Sequence, residues 1–127
     1  MEEAEEAFLT RNAKNSGIRV TSSGLQYEVL EEGSGLRPSA FSTVKVHYEG
    51  RLIDGTVFDS TVMHGRPEEF PLDRVIPGFA EGIQFMSIGS KYRFFIPSHL
   101  AYGPYGFGPI PGFTTLVMEV ELLDILD

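Results

Sequence analysis

Val46-His-Tyr-Glu-Gly-Arg-Leu-Ile-Asp-Gly-Thr-Val-Phe-Asp-Ser60 is the stretch that organises the rest of the chain. Val44, Val46 and Tyr48 alternate with Lys45, His47 and Glu49, a period of two that predicts a strand with one buried face. Asp54-Gly55 then reverses the chain, because glycine tolerates the positive φ of a tight hairpin. Thr56 to Ser60 is the return strand. The hairpin brings Tyr48 near Phe58, with the carboxylate of Asp59 beside them. Two rings and one acid suit an apolar pocket with one polar handle. They do not suit hydrolysis, metal binding or phosphoryl transfer.

Outward from the hairpin, Leu25, Tyr27 and Val29 alternate with Gln26 and Glu28 in an earlier strand. Residues 31–42 read as loop. Residues 61–73, with Gly65, Pro67 and Pro71, read as an irregular crossing. Pro77 suits a first helical position, and Phe79, Ile83 and Met86 recur at helical spacing, so a short helix is expected from Pro77 to about Met86. Tyr92, Phe94 and Ile96 form another strand, and Leu116, Met118, Val120 and Leu122 a last long one. Residues 98–113 are rich in Gly and Pro and read as a loop ordered by rigidity rather than by hydrogen-bond ladders. The sum is four or five antiparallel strands and one covering helix, an α+β fold.

Residues 2–14 read as a helix with acids in its first turn and a thin stripe of Ala4, Ala7, Phe8 and Arg11. Two readings stay open for it: a solvated tail, or the end of a longer helix that forms a dimer. The division expected is 1–17 as helix and linker and 18–127 as one domain.

The chain has 127 residues, of which 42% are hydrophobic, so one domain with a real core is affordable. Ten Phe and five Tyr supply much of that core. Ten basic against eighteen acidic residues give a net charge of -8 with no basic stripe, which excludes a nucleic-acid grip. The absence of Cys excludes disulfides and thiolate chemistry. No stretch approaches the roughly 20 apolar residues of a membrane span. The acidic start does not read as a signal peptide. The compartment stays open: cytoplasm, or periplasm and exterior if a leader has been removed.

His47, His64 and His99 are 17 and 35 residues apart and match no metal motif; His47, on the polar face of its strand, is expected to be solvated. Glu31-Glu32 and Glu68-Glu69 lie in polar loop context and are expected in solvent. Gly106-Phe107-Gly108 is a structural turn, not a dinucleotide loop. Asp59 is different, because a charge directly after Phe58 is costly unless paired. A nearby Tyr hydroxyl or Arg would pair it, and it would also serve as the polar rim of a pocket. By spacing, Tyr48, Phe58, Val75, Ile76, Phe79, Tyr102, Ile110 and Met118 read first as core. Tyr102 and Ile110, however, fall in a Gly/Pro loop, where a held aromatic invites a pocket.

Read together, these motifs resemble one family. Val46-His-Tyr-Glu-Gly50, Asp54-Gly-Thr-Val-Phe-Asp-Ser60, Val75-Ile-Pro-Gly-Phe-Ala-Glu-Gly82, Ile96-Pro97, Leu100-Ala-Tyr-Gly103, Ile110-Pro111 and Thr115 to Ile125 occur in the order found in the FKBP-type peptidyl-prolyl cis-trans isomerases, the macrolide-binding immunophilins. Gly24-Leu-Gln-Tyr27 and the preceding helix are similar to the bacterial macrophage infectivity potentiator-like branch. The resemblance implies a bent antiparallel half-barrel wrapped around the 78–86 helix. It implies a non-covalent isomerase of X–Pro bonds that needs no cofactor and no metal and assists protein folding. A weakly active binding or chaperone module on the same fold is the alternative. Its partners would be proline-containing peptides, unfolded proteins and macrolides of the FK506 and rapamycin type.

The resemblance further implies that a prolyl ring rests on Phe79. Tyr48, Phe58, Asp59, Ile76 and Tyr102 would act on the bond, with the Ile76 N–H and the Tyr102 hydroxyl holding carbonyls. Val75, Ile110, Met118, Phe107 and Phe70 would complete the binding surface. Three positions depart from the family pattern. Phe79 replaces the usual floor Trp, Met118 replaces a Phe, and Glu68 stands where many members have a rim Phe, with Phe70 close by. The 104–109 loop is one residue shorter than in some members.

Overall fold

The computed structural model describes residues 2–127. Each alternating stretch forms a strand of one antiparallel sheet, and the sheet recruits further short strands. The elements are α1 (Glu2–Asn12), β1 (Arg19–Val20), β2 (Gln26–Glu31), β3 (Thr43–Arg51), β4 (Val57–Ser60), α2 (Thr61–His64), β5 (Glu68–Pro71), α3 (Pro77–Ile83), β6 (Lys91–Ile96) and β7 (Leu116–Ile125). Strand order is β1-β2-β6-β7-β3-β4, with β5 also on β3. The outer edge of β3 is thus shared: Thr43–Val46 pair with β5, and Glu49–Arg51 with β4. Register shifts in β2 after Val29 and in β3 at Lys45/Val46 and Gly50/Arg51 mark bulges, which bend a sheet.

The concave face is apolar because the alternation puts Val44, Val46, Phe94, Ile96, Leu116, Met118, Val120 and Leu122 on one side. α3 covers it with Phe79 and Ile83. The helix lies close because Gly78 and Gly82 present no side chain; a Cβ at Gly82 would stand 2.5 Å from Phe94 Cε1. The regular helix ends at Ile83 rather than near Met86. Its last turn tightens, with Phe85 N–H on Gly82 O and Met86 N–H on Ile83 O, so Met86 is still buried in the core.

Several sequence expectations need correction. The sheet has seven strands rather than four or five. The 61–73 crossing is not irregular: it holds α2, capped by the Ser60 hydroxyl on the Met63 N–H, and β5. Glu68 and Glu69 are exposed as expected, but on that strand. His47 is half-buried, with Nδ1 2.9 Å from Thr61 Oγ1. The 98–113 loop holds no strand ladder, as expected, but turn bonds tie it, including Phe113 N–H to Gly103 O and a reciprocal pair between Phe107 and Ile110 in one isolated bridge. That pair makes Gly106-Phe107-Gly108 part of a structural turn.

The first helix ends at Asn12, and its inner face is Glu5, Phe8, Leu9 and Asn12; Ala4, Ala7 and Arg11 are exposed. It is docked rather than a solvated tail. Phe8 packs on Phe95 at 6.1 Å between ring centres. Asn12 Nδ2 donates to Gln26 Oε1 at 2.8 Å in a buried bond, and Gln26 Nε2 donates to Leu9 O. The Glu5 carboxylate accepts the Thr115 N–H.

Candidate active site

β3 and β4 carry the two arms of the hairpin, and their register puts Gly50 opposite both Asp59 and Met118. Gly50 is required there. A Cβ on it would lie 2.5 Å from Phe58 Cζ and 2.8 Å from Met118 Sδ, so the missing side chain lets both walls close on the strand. Ile76 precedes α3 in extended conformation, with φ -59 and ψ 147, and its carbonyl accepts from Phe79 and Ala80. Pro77 then starts the helix, which sets Phe79 at the base of a cleft.

The cleft has a volume of about 430 Å³. Tyr48, Phe58, Asp59, Phe70, Val75, Ile76, Phe79, Tyr102 and Met118 all line it. Phe79 is only 5% exposed and is held by two rings: Tyr48 edge-on at 5.9 Å and 72°, and Phe70 tilted at 5.4 Å and 60°. Phe70 therefore supplies the aromatic contact that Glu68 does not. The structure adds two lining residues that the sequence reading missed, Leu116 and Arg74. Leu116 shares the face of Met118 in β7, so alternation alone would have flagged it. No local pattern flags Arg74.

Two expected residues do not reach the cleft wall. Ile110 is buried in the core, because its reciprocal bonds with Phe107 turn it inward from the loop. Phe107 is 66% exposed and stacks on the Tyr102 ring at 5.2 Å and 16°. It buttresses Tyr102 instead of lining the cavity.

The polar groups are few and unequal. Tyr48 O–H donates to Asp59 Oδ2 at 2.5 Å. Asp59 Oδ1 accepts the Ser60 N–H at 2.9 Å and lies 3.5 Å from His64 Nε2. The buried Thr61 hydroxyl accepts the Tyr48 N–H and donates to Tyr48 O, which clamps the strand behind the ring. Burial, then the bond to Asp59 and its charge, hold the Tyr48 hydroxyl far above the usual tyrosine range. Burial and the Asp59 charge raise that of Tyr102 as well. Both phenols are therefore donors at neutral pH. Among the described residues, the Ile76 N–H and the Tyr102 hydroxyl form no hydrogen bond, and both residues line the apolar cleft. No group of three or more His, Cys, Asp or Glu converges among the described residues.

This fold and cleft define a class, and comparison with known proteins shows the same class. Residues 35–123 match the family described as FKBP-type peptidyl-prolyl cis-trans isomerase, and residues 1–29 match the domain amino terminal to it. The chain belongs to the FKBP-type peptidyl-prolyl cis-trans isomerases. It is 55% identical over 120 residues to the FKBP-type isomerase FkpA of Aeromonas hydrophila, covering 94% of this chain and 45% of that protein. It is 46% identical over 121 residues to a protein named outer membrane protein MIP of Legionella longbeachae, covering 94% and 52%. The crystal structure of FkpA from Escherichia coli superposes with a TM-score of 0.95 at 44% identity, covering 98% of this chain and 58% of that one. The chain thus spans about half the length of these relatives. Among the described residues no helix is long and apolar enough to cross a membrane.

Proposed function

We propose that the cleft catalyses rotation about X–Pro bonds in peptides and folding proteins, without a covalent step. The observation that carries this reading is the pairing of an aromatic floor, Phe79, with two cleft residues, Ile76 and Tyr102, whose N–H and O–H form no hydrogen bond among the described residues. The barrier to rotation is roughly 18–20 kcal/mol and comes from amide conjugation. The planar amide is more polar than the twisted one, so water favours the ground state. A water-poor pocket removes that advantage, and each 1.36 kcal/mol or so removed gives about tenfold in rate. Donors that hold the carbonyl in its turned position add binding that exists only in the twisted state. Asp59 orients the Tyr48 hydroxyl at the rim, and the pocket rings exclude water. No side chain has to gain or lose a proton.

In this reading Tyr48, Phe58, Asp59, Ile76, Phe79 and Tyr102 act on the bond, and Val75, Met118 and Phe70 shape the prolyl site. Phe107 supports Tyr102 from outside, and Ile110 supports the site from the core. Macrolides of the FK506 and rapamycin type would compete for the same cleft, with Met118 as a soft wall. Residues 18–127 form the working domain. A second copy meeting α1 would use its outer face with Ala4, Ala7 and Arg11, because Phe8 packs on Phe95 and Asn12 bonds Gln26; sedimentation equilibrium tests this. Cell fractionation of the whole protein decides between cytoplasm and a site beyond it.

Exchange NMR on a short capped peptide containing Leu-Pro tests the function. Added protein is expected to accelerate cis–trans exchange well beyond its uncatalysed time of tens to hundreds of seconds. A macrolide is expected to suppress the effect. An unchanged exchange rate at stoichiometric protein overturns the reading.

A further inference from the structure

Arg74 lines the cleft directly ahead of Val75 and Ile76 and closes the short 3₁₀ turn over Leu72–Arg74. It is exposed, and among the described residues it takes part in no ion pair and no side-chain hydrogen bond; the arginines that do are Arg51 and Arg93. A second cavity of about 400 Å³ adjoins the first through Tyr48 and Asp59 and is lined also by His64, Arg66 and Glu68. Arg66 is unpaired in the same sense. Asp59, in contrast, is engaged by Tyr48, Ser60 and His64. Among the charged residues that line the two cavities, those without a partner are Arg74 and Arg66 against Glu68, on a chain whose formal net charge is -8. A guanidinium that holds nothing in the fold contributes nothing to it by pairing. Beside an apolar wall it presents a planar fork that matches a carboxylate.

We infer that Arg74 sets substrate preference: an X–Pro bond flanked within a few residues by Asp or Glu is isomerised faster than the same bond flanked by Lys. This rests on the isomerase reading of the cleft. The global field works in the opposite direction, since an acidic protein attracts basic peptides. A preference for acidic peptides would thus have a local source.

The test is exchange NMR on matched capped Leu-Pro peptides carrying Glu, Gln or Lys, placed in turn before the leucine and after the proline. In the wild-type chain the Glu peptide is expected to exceed the Lys peptide in kcat/KM by about two- to fivefold, the range of one exposed ion pair. The ratio should fall toward one between about 0.01 M and 1 M salt, as the screening length drops from about 30 Å to about 3 Å. Arg74→Gln should bring it close to one at low salt, Arg74→Glu should invert it, and Arg74→Lys should keep most of it. A wild-type ratio at or below one at low salt overturns the inference, as does a ratio that Arg74→Gln and Arg74→Glu leave unchanged. In either case turnover of the Gln peptide leaves the isomerase reading standing. Absence of turnover for all three peptides overturns that reading, and the inference with it.

Discussion

The Tyr48 hydroxyl donates a 2.5 Å hydrogen bond to Asp59 Oδ2, joining the two arms of one hairpin at the rim of the cleft. A short bond to an ionised acceptor is of the stronger kind, about 1.5–3 kcal/mol. Asp59→Ala leaves the phenol without its acceptor, and Tyr48→Phe leaves the acid without its donor. Each is expected to lower kcat/KM about tenfold or more. Because the two act as a unit, the double variant should be little worse than either single one. Additive losses in the kinetic cycle would show that they act separately.

Turnover should be nearly independent of pH between about pH 6 and 8, because the mechanism titrates no cleft side chain. A steep bell in kcat/KM counts against it. Stability should respond at high pH. Burial and Asp59 raise the Tyr48 proton affinity in the folded chain above its ordinary value of 10.0. The folded state therefore keeps a proton that the unfolded chain releases near pH 10. The stabilising difference is fully present below about pH 10 and is lost as pH climbs toward the folded value. Tyr48→Phe should flatten that decline, read from urea midpoints at about pH 9 and 11.

Gly82→Ala sets two effects against each other. Alanine is favoured over glycine inside a helix by about 1 kcal/mol. The added methyl, however, would sit 2.5 Å from Phe94 Cε1, and Phe94 is fully buried. Overpacking of this kind costs about 1–3 kcal/mol, so net destabilisation is expected. A raised Tm would show that α3 can lift off β6 freely.

Gly50→Ala should damage the site while leaving the fold intact. Its methyl meets Phe58 Cζ and Met118 Sδ, which form facing parts of the cleft wall. Met118 can yield, but Phe58 must turn into the cavity. We expect kcat/KM to fall about tenfold, mostly through KM, with amide spectra perturbed around Phe58 and Met118. Unchanged kinetics would place the prolyl ring elsewhere.

Asn12→Ala should release α1. The Asn12 to Gln26 bond is buried, and truncation strands the Gln26 carbonyl at a cost of about 1–3 kcal/mol. Hydrogen exchange of the α1 amides is expected to accelerate far more than that of β6 or β7. Uniform acceleration would mean that the helix and the domain unfold together.

Read one residue after another, the chain determines whatever depends on near neighbours. The period of two marks β2, β3, β6 and β7; Asp54-Gly55 marks the hairpin; Pro77 with Phe79 and Ile83 marks α3. Tyr48, Phe58 and Asp59 could be named from the hairpin, because each side chain's direction follows from its place in a strand, whereas Phe79 reads by spacing as core and is placed at the site by the family resemblance. What the tertiary structure decided is everything that needs a distant partner. Glu68-Glu69-Phe70-Pro71 has no strand pattern of its own and becomes β5 only because β3 offers it an edge at Thr43–Val46. Arg74 joins the cleft, Ile110 leaves it for the core, and Phe107 stacks outside it, all through loop geometry that spacing does not encode. α1 turns inward Phe8, Leu9 and Asn12, because Phe95 and Gln26 lie far along the chain. Phe113 takes a left-handed φ of 58 that no aromatic residue advertises, bonded to Gly103. Pairing across a sheet is non-local, so its consequences are written in the fold and not in any window of the sequence.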